Sequence, residues 1–158
     1  MDCLGARFIS GSDVRVVRNI RSDGSFAGME KGDLLVTQGE VGNVRSSGYF
    51  LQDQVIYQVF FPESNRVVGI RDTEVIDASL EWVPCLFRSL DMAELRVSLK
   101  MHGEIVAVKG ELVEVQRVYR DLETGRLEYE ISVAGELVRL DARMLQEPTY
   151  TEKEEAYG

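Results

Sequence analysis

The sequence is poor in residues that perform chemistry by themselves. Among 158 residues there is one histidine, His102, and two cysteines, Cys3 and Cys85. Nucleophilic or acid–base catalysis needs a base held beside a nucleophile. One histidine in the turn-like KMHGE offers little to build that from. No HExxH, P-loop or GxGxxG stands at the junction such motifs require. Paired carboxylates are harder to exclude, because 27 acidic residues form pairs by chance. A non-enzymatic protein is therefore expected.

Two cysteines are too few for a disulfide-built secreted fold. A tetrahedral metal site wants three or four ligands. Cys3, Cys85 and His102 thus read as structural or incidental, and neither metal nor cofactor is expected. Long apolar runs are also missing, since none approaches the roughly 20 residues of a membrane helix. The start, MDCLGARFIS, is short and mixed rather than basic and then apolar. These features predict a cytoplasmic chain with no membrane partner.

Positive charge is scarce as well. Net charge is −9; residues 1–79 carry 8 basic and 11 acidic residues, residues 80–158 carry 10 and 16. Neither half suits phosphate neutralisation, so a nucleic-acid partner is not expected. An acidic surface favours solubility and, in some proteins, a basic protein partner.

What the chain does have is strands. DVRVV (13–17), LLV (34–36), EVGNV (40–44), QVIYQVFF (54–61) and RVVGI (66–70) are short, rich in β-branched residues and separated by turn formers. In 54–61, Val55, Tyr57, Val59 and Phe61 alternate onto one side. The second half repeats the rhythm with AELRVSL (93–99), EIVAV (104–108), ELVEV (111–115), LEYEISV (127–133) and ELVRL (136–140). GEVGNV (39–44) answers GELVEV (110–115), VIYQVFF (55–61) answers LEYEISV (127–133), and VVGIRDTEV (67–75) answers LVRLDARML (137–145). The offset holds between 70 and 72, which indicates an internal duplication.

Five short strands in about 65 residues suggest a small, strongly bent barrel, because a flat sheet of that size exposes an apolar face and two edges. The fold expected is all-β, with two tandem small SH3-like barrels. The domains expected are an N-terminal extension (1–11), a first barrel (12–77), an apolar connector (78–92), a second barrel (93–146) and an acidic disordered tail (147–158). The connector, with Trp82, Val83, Leu86 and Phe87 around Pro84, is expected to plug the groove between the barrels. Closed barrels with an acidic surface predict a monomer.

Two loops hold the recognition residues. RNIRSDGSFAG (18–28) has two arginines, an Asp-Gly turn and Phe26; SSGYFLQDQ (46–54) has consecutive Tyr49, Phe50 and Leu51 where a hairpin loop ought to be polar. In such a barrel both loops can lie at one end. Aromatics flanked by Arg, Asp and Gln have the composition of a protein-recognition surface. Tyr49 and Arg21 are expected to be exposed, Phe26 to roof the barrel, and Phe50 and Leu51 to be roof or interface. Capture of a short peptide in a groove is a rival reading, as is a small-barrel nucleic-acid-binding module with a basic face formed by Arg15, Arg18, Arg21 and Arg45.

Residues 14–76 resemble the NifZ family, accessory factors of nitrogenase assembly. The shared pattern is RN-x-R-x-DG, a Gly shortly after, LLV-x-x-G-x-VG-x-V, FLQD-x-x-IY and VG-x-R. It is carried here by Arg18, Asn19, Arg21, Asp23, Gly24, Gly28, Gly39, Gly42, Phe50, Leu51, Gln52, Asp53, Ile56, Tyr57, Gly69 and Arg71. Ala27 stands where proline is common, and Ile70 stands where a cysteine is often found. The resemblance implies a chaperone-like factor that binds an immature form of the molybdenum–iron protein and assists P-cluster formation, with other nitrogenase assembly factors as further partners. It implies a protein-binding site at Arg18, Asn19, Arg21, Asp23, Gly24, Phe26, Gly28, Tyr49, Phe50, Leu51, Gln52, Asp53 and Arg71.

Overall fold

A computed structural model describes residues 2–51 and 53–149. The described residues divide into two compact units. One runs to Pro84 and takes in Leu122–Gly125; the other runs from Cys85.

In the first unit, strands β1 (Asp13–Val16), β4 (Val41–Phe50), β5 (Gln54–Phe61), β6 (Arg66–Arg71) and β7 (Val75–Asp77) form one antiparallel sheet in the order β6-β5-β4-β1-β7. A two-stranded ribbon, β2 (Ile20–Arg21) with β3 (Leu34–Val36), is inserted after β1, and a 3-10 turn (Asp72–Glu74) joins β6 to β7. The second unit repeats the series element by element. Strands β8 (Met92–Leu95), β11 (Leu112–Arg120), β12 (Leu127–Val133), β13 (Glu136–Asp141) and β14 (Leu145–Gln146) lie in the order β13-β12-β11-β8-β14. Its ribbon is β9 (Leu99–Met101) with β10 (Glu104–Ala107), and its 3-10 turn is Ala142–Met144.

The architecture is therefore all-β, but the barrels expected from the sequence are not closed. The end strands β6 and β7, like β13 and β14, do not pair with each other. Edge protection comes partly from side chains: Arg66 Nη1 on β6 donates to Leu35 O on β3 at 2.9 Å, tying the ribbon to that edge.

The alternation read from residues 54–61 is realised. Tyr57, Val59 and Phe61 are fully buried, and Val55 packs against the same core as Val14, Val16, Val36, Val44, Val68 and Ile70. Ile70 is wholly buried and faces the core. The tight turn expected at His102–Gly103 joins β9 to β10, and both residues have positive φ, 53° and 83°.

Two expectations need correction. AELRVSL is not one strand: the chain breaks after Leu95 and resumes as β9, because Leu95 N turns to Glu111 O and Arg96 N to Met144 O. SSGYF is not loop: β4 continues to Phe50, beyond a register shift between Val44 and Ser46, with Tyr49 opposite Val55 and Phe50 opposite Gln54. The turn itself is confined to the residues around Leu51, whose φ is +56°.

Each unit is also closed from below by the segment preceding its first strand. Phe8 is buried with its ring edge-on to Tyr57, centroids 5.7 Å apart; Phe87 is buried edge-on to Tyr129 at 5.3 Å. Within the stretch 78–92, Trp82 lies against Gly39, while Phe87 belongs to the second unit's core. Thr149 N and Oγ1 donate to Glu94 Oε1 at 3.2 and 3.0 Å. The rest of the acidic tail, 150–158, falls outside the described residues.

Candidate functional site

The first unit carries a cleft of about 350 Å³ lined by Ile20, Arg21, Asp23, Ser25, Phe26, Leu35, Phe50, Gln54, Ile56, Val68, Gly69 and Arg71. Residues of both sequence-predicted stretches meet there. Arg21, Asp23 and Phe26 come from the β2–β3 connection, Phe50 from the end of β4, and Arg71 from the end of β6.

Strand register explains the meeting. Gly48 faces Ile56 across the β4–β5 ladder, and Ile56 faces Arg71 across β5–β6. In the next row Gln58 faces Gly69, and at the ladder's end Phe50 faces Gln54. These rows lie on the side of β5 opposite Tyr57 and Val59. The two glycines leave the space beside Ile56 open. A Cβ on Gly48 would meet no atom within 4 Å, and one on Gly69 would meet only the Gln58 and Ile56 side chains at 3.4 and 3.6 Å.

The connection 22–33 is held by its own polar groups. Asp23 Oδ1 accepts from Ser25 N at 2.9 Å and from Ser25 Oγ at 2.5 Å. Those hydrogen bonds lower its pKa below the usual carboxylate value, keeping it ionised. Ser22 is buried, receives Gly32 N on its carbonyl and bonds Gly24 N through Oγ at 3.1 Å. Gly24 and Gly28 have φ of +100° and +79°, a conformation that favours glycine. Phe26 is half-buried against the core, as expected of a roof.

The remaining predicted residues lie around the cleft. Arg21 is exposed and donates to Gly32 O at 3.1 Å. Arg18 is exposed, with its Nε 3.9 Å from Glu74 Oε2. Asn19 Oδ1 accepts from Gln38 N at 2.8 Å, a structural bond. Tyr49, Phe50 and Leu51 are exposed by 51, 55 and 73%, so Phe50 and Leu51 form a surface and not a roof. Asp53 lines a smaller recess of about 160 Å³ with Val55, Asp72 and Thr73, and Arg71 borders both cavities. Gln52 lies outside the described residues. The sequence reading missed Ile56 and Gly69 as cleft-forming residues; the spacing of one strand against the next, visible only in the register, brings them together.

Among the described residues, no three His, Cys, Asp or Glu side chains are grouped as for a metal ion. Among them also no helix is long and apolar enough to cross a membrane. The arrangement holds exposed aromatics, two arginines and a polar rim, the make-up of a recognition surface.

Fold and site together define an all-β protein of two repeated units, with an aromatic and arginine-lined cleft on the first. The NifZ domain profile matches residues 5–77, which cover that whole unit's sheet. Protein NifZ of Azotobacter chroococcum mcd 1 is 39% identical over 132 residues, covering 84% of each chain. Protein NifZ of Azotobacter vinelandii is 38% identical over 132 residues, 84% of this chain and 83% of its own. Protein NifZ of Klebsiella pneumoniae is 40% identical over 114 residues, 72% of this chain and 77% of its own. The chain belongs to the NifZ family, and with it to the accessory proteins of the nif system.

Proposed function

We propose that this protein is a non-enzymatic assembly factor that binds an immature form of the nitrogenase molybdenum–iron protein while its P-cluster is completed. The observation that carries the reading is the convergence of Arg21, Asp23 and Phe26 with Phe50 and Arg71 on one cleft, beside the exposed Tyr49–Leu51 tip. Burying large apolar side chains in the core is what folding requires. Exposing three in succession is not, and such patches serve partners.

Binding only the open, immature conformer shifts its population without any catalytic group. A small patch also gives the modest affinity that release requires. In this reading the two units are small SH3-like folds from an internal duplication, the chain works in the cytoplasm as a monomer, and other assembly factors install the clusters.

The test is a pull-down with this protein as bait, against molybdenum–iron protein lacking mature P-clusters and against the finished protein. Capture of the immature form alone, lost in a Tyr49→Ala, Asp53→Ala variant, is expected. Equal capture of both forms, or of neither, sinks the proposal.

A further inference from the structure

The charge around the cleft runs against the charge of the chain. Net charge is −9, yet two arginines, Arg21 and Arg71, line the cleft with one carboxylate, Asp23; Asp53 and Asp72 line the neighbouring recess that Arg71 also borders. Asp23 is engaged by Ser25 through both N–H and O–H. Among the described residues, no carboxylate lies within ion-pair distance of the Arg21 or Arg71 guanidinium, whereas Arg7, Arg126, Arg139 and Arg143 each have one. Arg15, Arg66 and Arg96 also lack such a carboxylate among the described residues, but their guanidinium groups are held on backbone carbonyls. What distinguishes Arg21 and Arg71 is that both are exposed and line one cleft.

The floor has a different character. Ile20, Leu35, Ile56 and Val68 supply apolar surface, and Phe26 and Phe50 are aromatic walls. Gly69 puts no side chain beside Ile56, where a Cβ would stand in contact at 3.6 Å. At about 350 Å³ the cavity is near the small end of ligand-pocket sizes. It fits one large side chain and its neighbours rather than a folded surface.

We infer that the cleft takes an acidic segment of a partner protein, seating one bulky apolar side chain over Ile56 and between Phe26 and Phe50 while flanking carboxylates meet Arg21 and Arg71. Guanidinium is suited to this, because its planar fork accepts a carboxylate bidentately. The inference rests on the docking reading above and specifies what the partner must present. An acidic segment gains at the cleft from two arginines in a chain of net charge −9, so the charges that bind also set the register.

The experiment is selection from a displayed random-peptide library on the full chain, followed by fluorescence anisotropy with the best peptide. The variants are Gly69→Leu, which fills the cleft at a position without positive φ, and Arg71→Glu, which reverses an exposed charge. Selected peptides are expected to combine Leu, Phe, Met or Trp with flanking Asp or Glu. Both variants are expected to weaken binding at least tenfold at unchanged melting temperature, and replacing the peptide's acids by amides to do the same. If Gly69→Leu does not fold, Arg71→Glu decides alone. Selection of nothing, of peptides without acids, or of peptides indifferent to both variants overturns the inference, as does preferential binding of a single-stranded oligonucleotide in the same cleft.

The two proposals fail separately. If Gly69→Leu and Arg71→Glu still capture the immature molybdenum–iron protein, the cleft inference is wrong and the assembly reading stands. If the wild type captures neither form but selects acidic, apolar peptides lost in both variants, the cleft inference stands and the assembly reading falls.

Discussion

The Tyr57 hydroxyl donates to Asp72 Oδ1 at 2.6 Å, beneath the 3-10 turn that leads into β7. The same hydroxyl accepts from Arg7 N at 2.8 Å, and Arg7 closes the ring by holding Asp72 with Nε at 3.1 Å and Val75 O with Nη2 at 2.9 Å. The second unit keeps the tyrosine but carries no charge at the two matching positions. Leu86 N donates to Tyr129 Oη at 2.9 Å, and Leu86 and Ala142 stand where the first unit has Arg7 and Asp72. Asp72→Ala removes the acceptor of Arg7 Nε and of the Tyr57 hydroxyl, while Arg7 Nη2 keeps the carbonyls of residues 72 and 75. It should cost about 1–3 kcal/mol. Arg7→Leu should cost about 1–2 kcal/mol on the same grounds. The double variant, copying the second unit, should cost less than the sum by about 1 kcal/mol, since the partners are lost together. Urea unfolding followed by Trp82 fluorescence checks this; strict additivity would contradict it.

Alkaline stability follows from the same tyrosine. Burial, reinforced by the hydrogen bond to Asp72, raises the Tyr57 pKa to about 12 from an ordinary 10.0. The folded state therefore retains a proton that the unfolded state gives up. This contribution is whole below about pH 10 and is lost as pH rises through about 12. Tyr129, buried likewise, has a pKa raised to about 12 and adds its own share. Tyr57→Phe removes one of the two titrations. Its stability, lower at pH 8 for want of the hydrogen bonds, should fall less steeply between pH 10 and pH 12 than that of the wild type. Parallel curves across that window would show that Tyr57 does not titrate as described.

Much of this frame is legible in the sequence, and the rest is hidden for identifiable reasons. The alternation at Val55–Phe61 and the His102–Gly103 turn are local signals, and they appear where expected. The extension of β4 through Ser46–Phe50 is not local: small and polar residues read as a turn until Val55 and Gln54 are seen opposite them. Phe8 was hidden in an extension with no periodicity. The repeat could have found it, since Phe8 precedes Val14 by six residues as Phe87 precedes Ala93. Both site stretches were legible as composition. Their union with Ile56 and Gly69 depends on cross-strand register, which one sequence does not state.

Gly39 offers a test with an internal control. Its φ is +94°, and a Cβ there would stand 3.0 Å from Trp82 Nε1 and 3.2 Å from Cε2 and Cζ2. Its carbonyl accepts from Arg15 Nη1 at 2.8 Å, and the Arg15 guanidinium lies 5.6 Å from the Trp82 ring. Gly110 occupies the matching turn with φ of +91°, but a Cβ there meets nothing within 4 Å. Alanine at either position pays the left-handed strain of about 1–2 kcal/mol. Only Gly39→Ala must also displace the indole, so it alone should shift the tryptophan emission. An unshifted spectrum in Gly39→Ala, or an equal shift in Gly110→Ala, would contradict the contact.

Gly42 shows how the two repeats fill equivalent space with differently sized residues. Its φ is not left-handed, so conformational freedom does not explain it. A Cβ there would lie 2.4 Å from Val59 Cγ1 and 2.8 Å from Phe61 Cδ1 and Cε1, inside any real contact. Val59 and Phe61 together fill the volume that a side chain at 42 would occupy. In the second unit the positions answering Gly42, Val59 and Phe61 are Val113, Ile131 and Val133, all buried. The smaller Val133 leaves room for Val113. Gly42→Ala alone should therefore destabilise the first unit by about 1–3 kcal/mol through overpacking. Phe61→Val alone should cost a similar amount by leaving a cavity. Combining Gly42→Val with Phe61→Val exchanges one filling for the other and should be more stable than Gly42→Val by itself. Thermal unfolding of the four variants decides it: a double variant less stable than Gly42→Val would mean that Phe61 does not hold the space Gly42 leaves open.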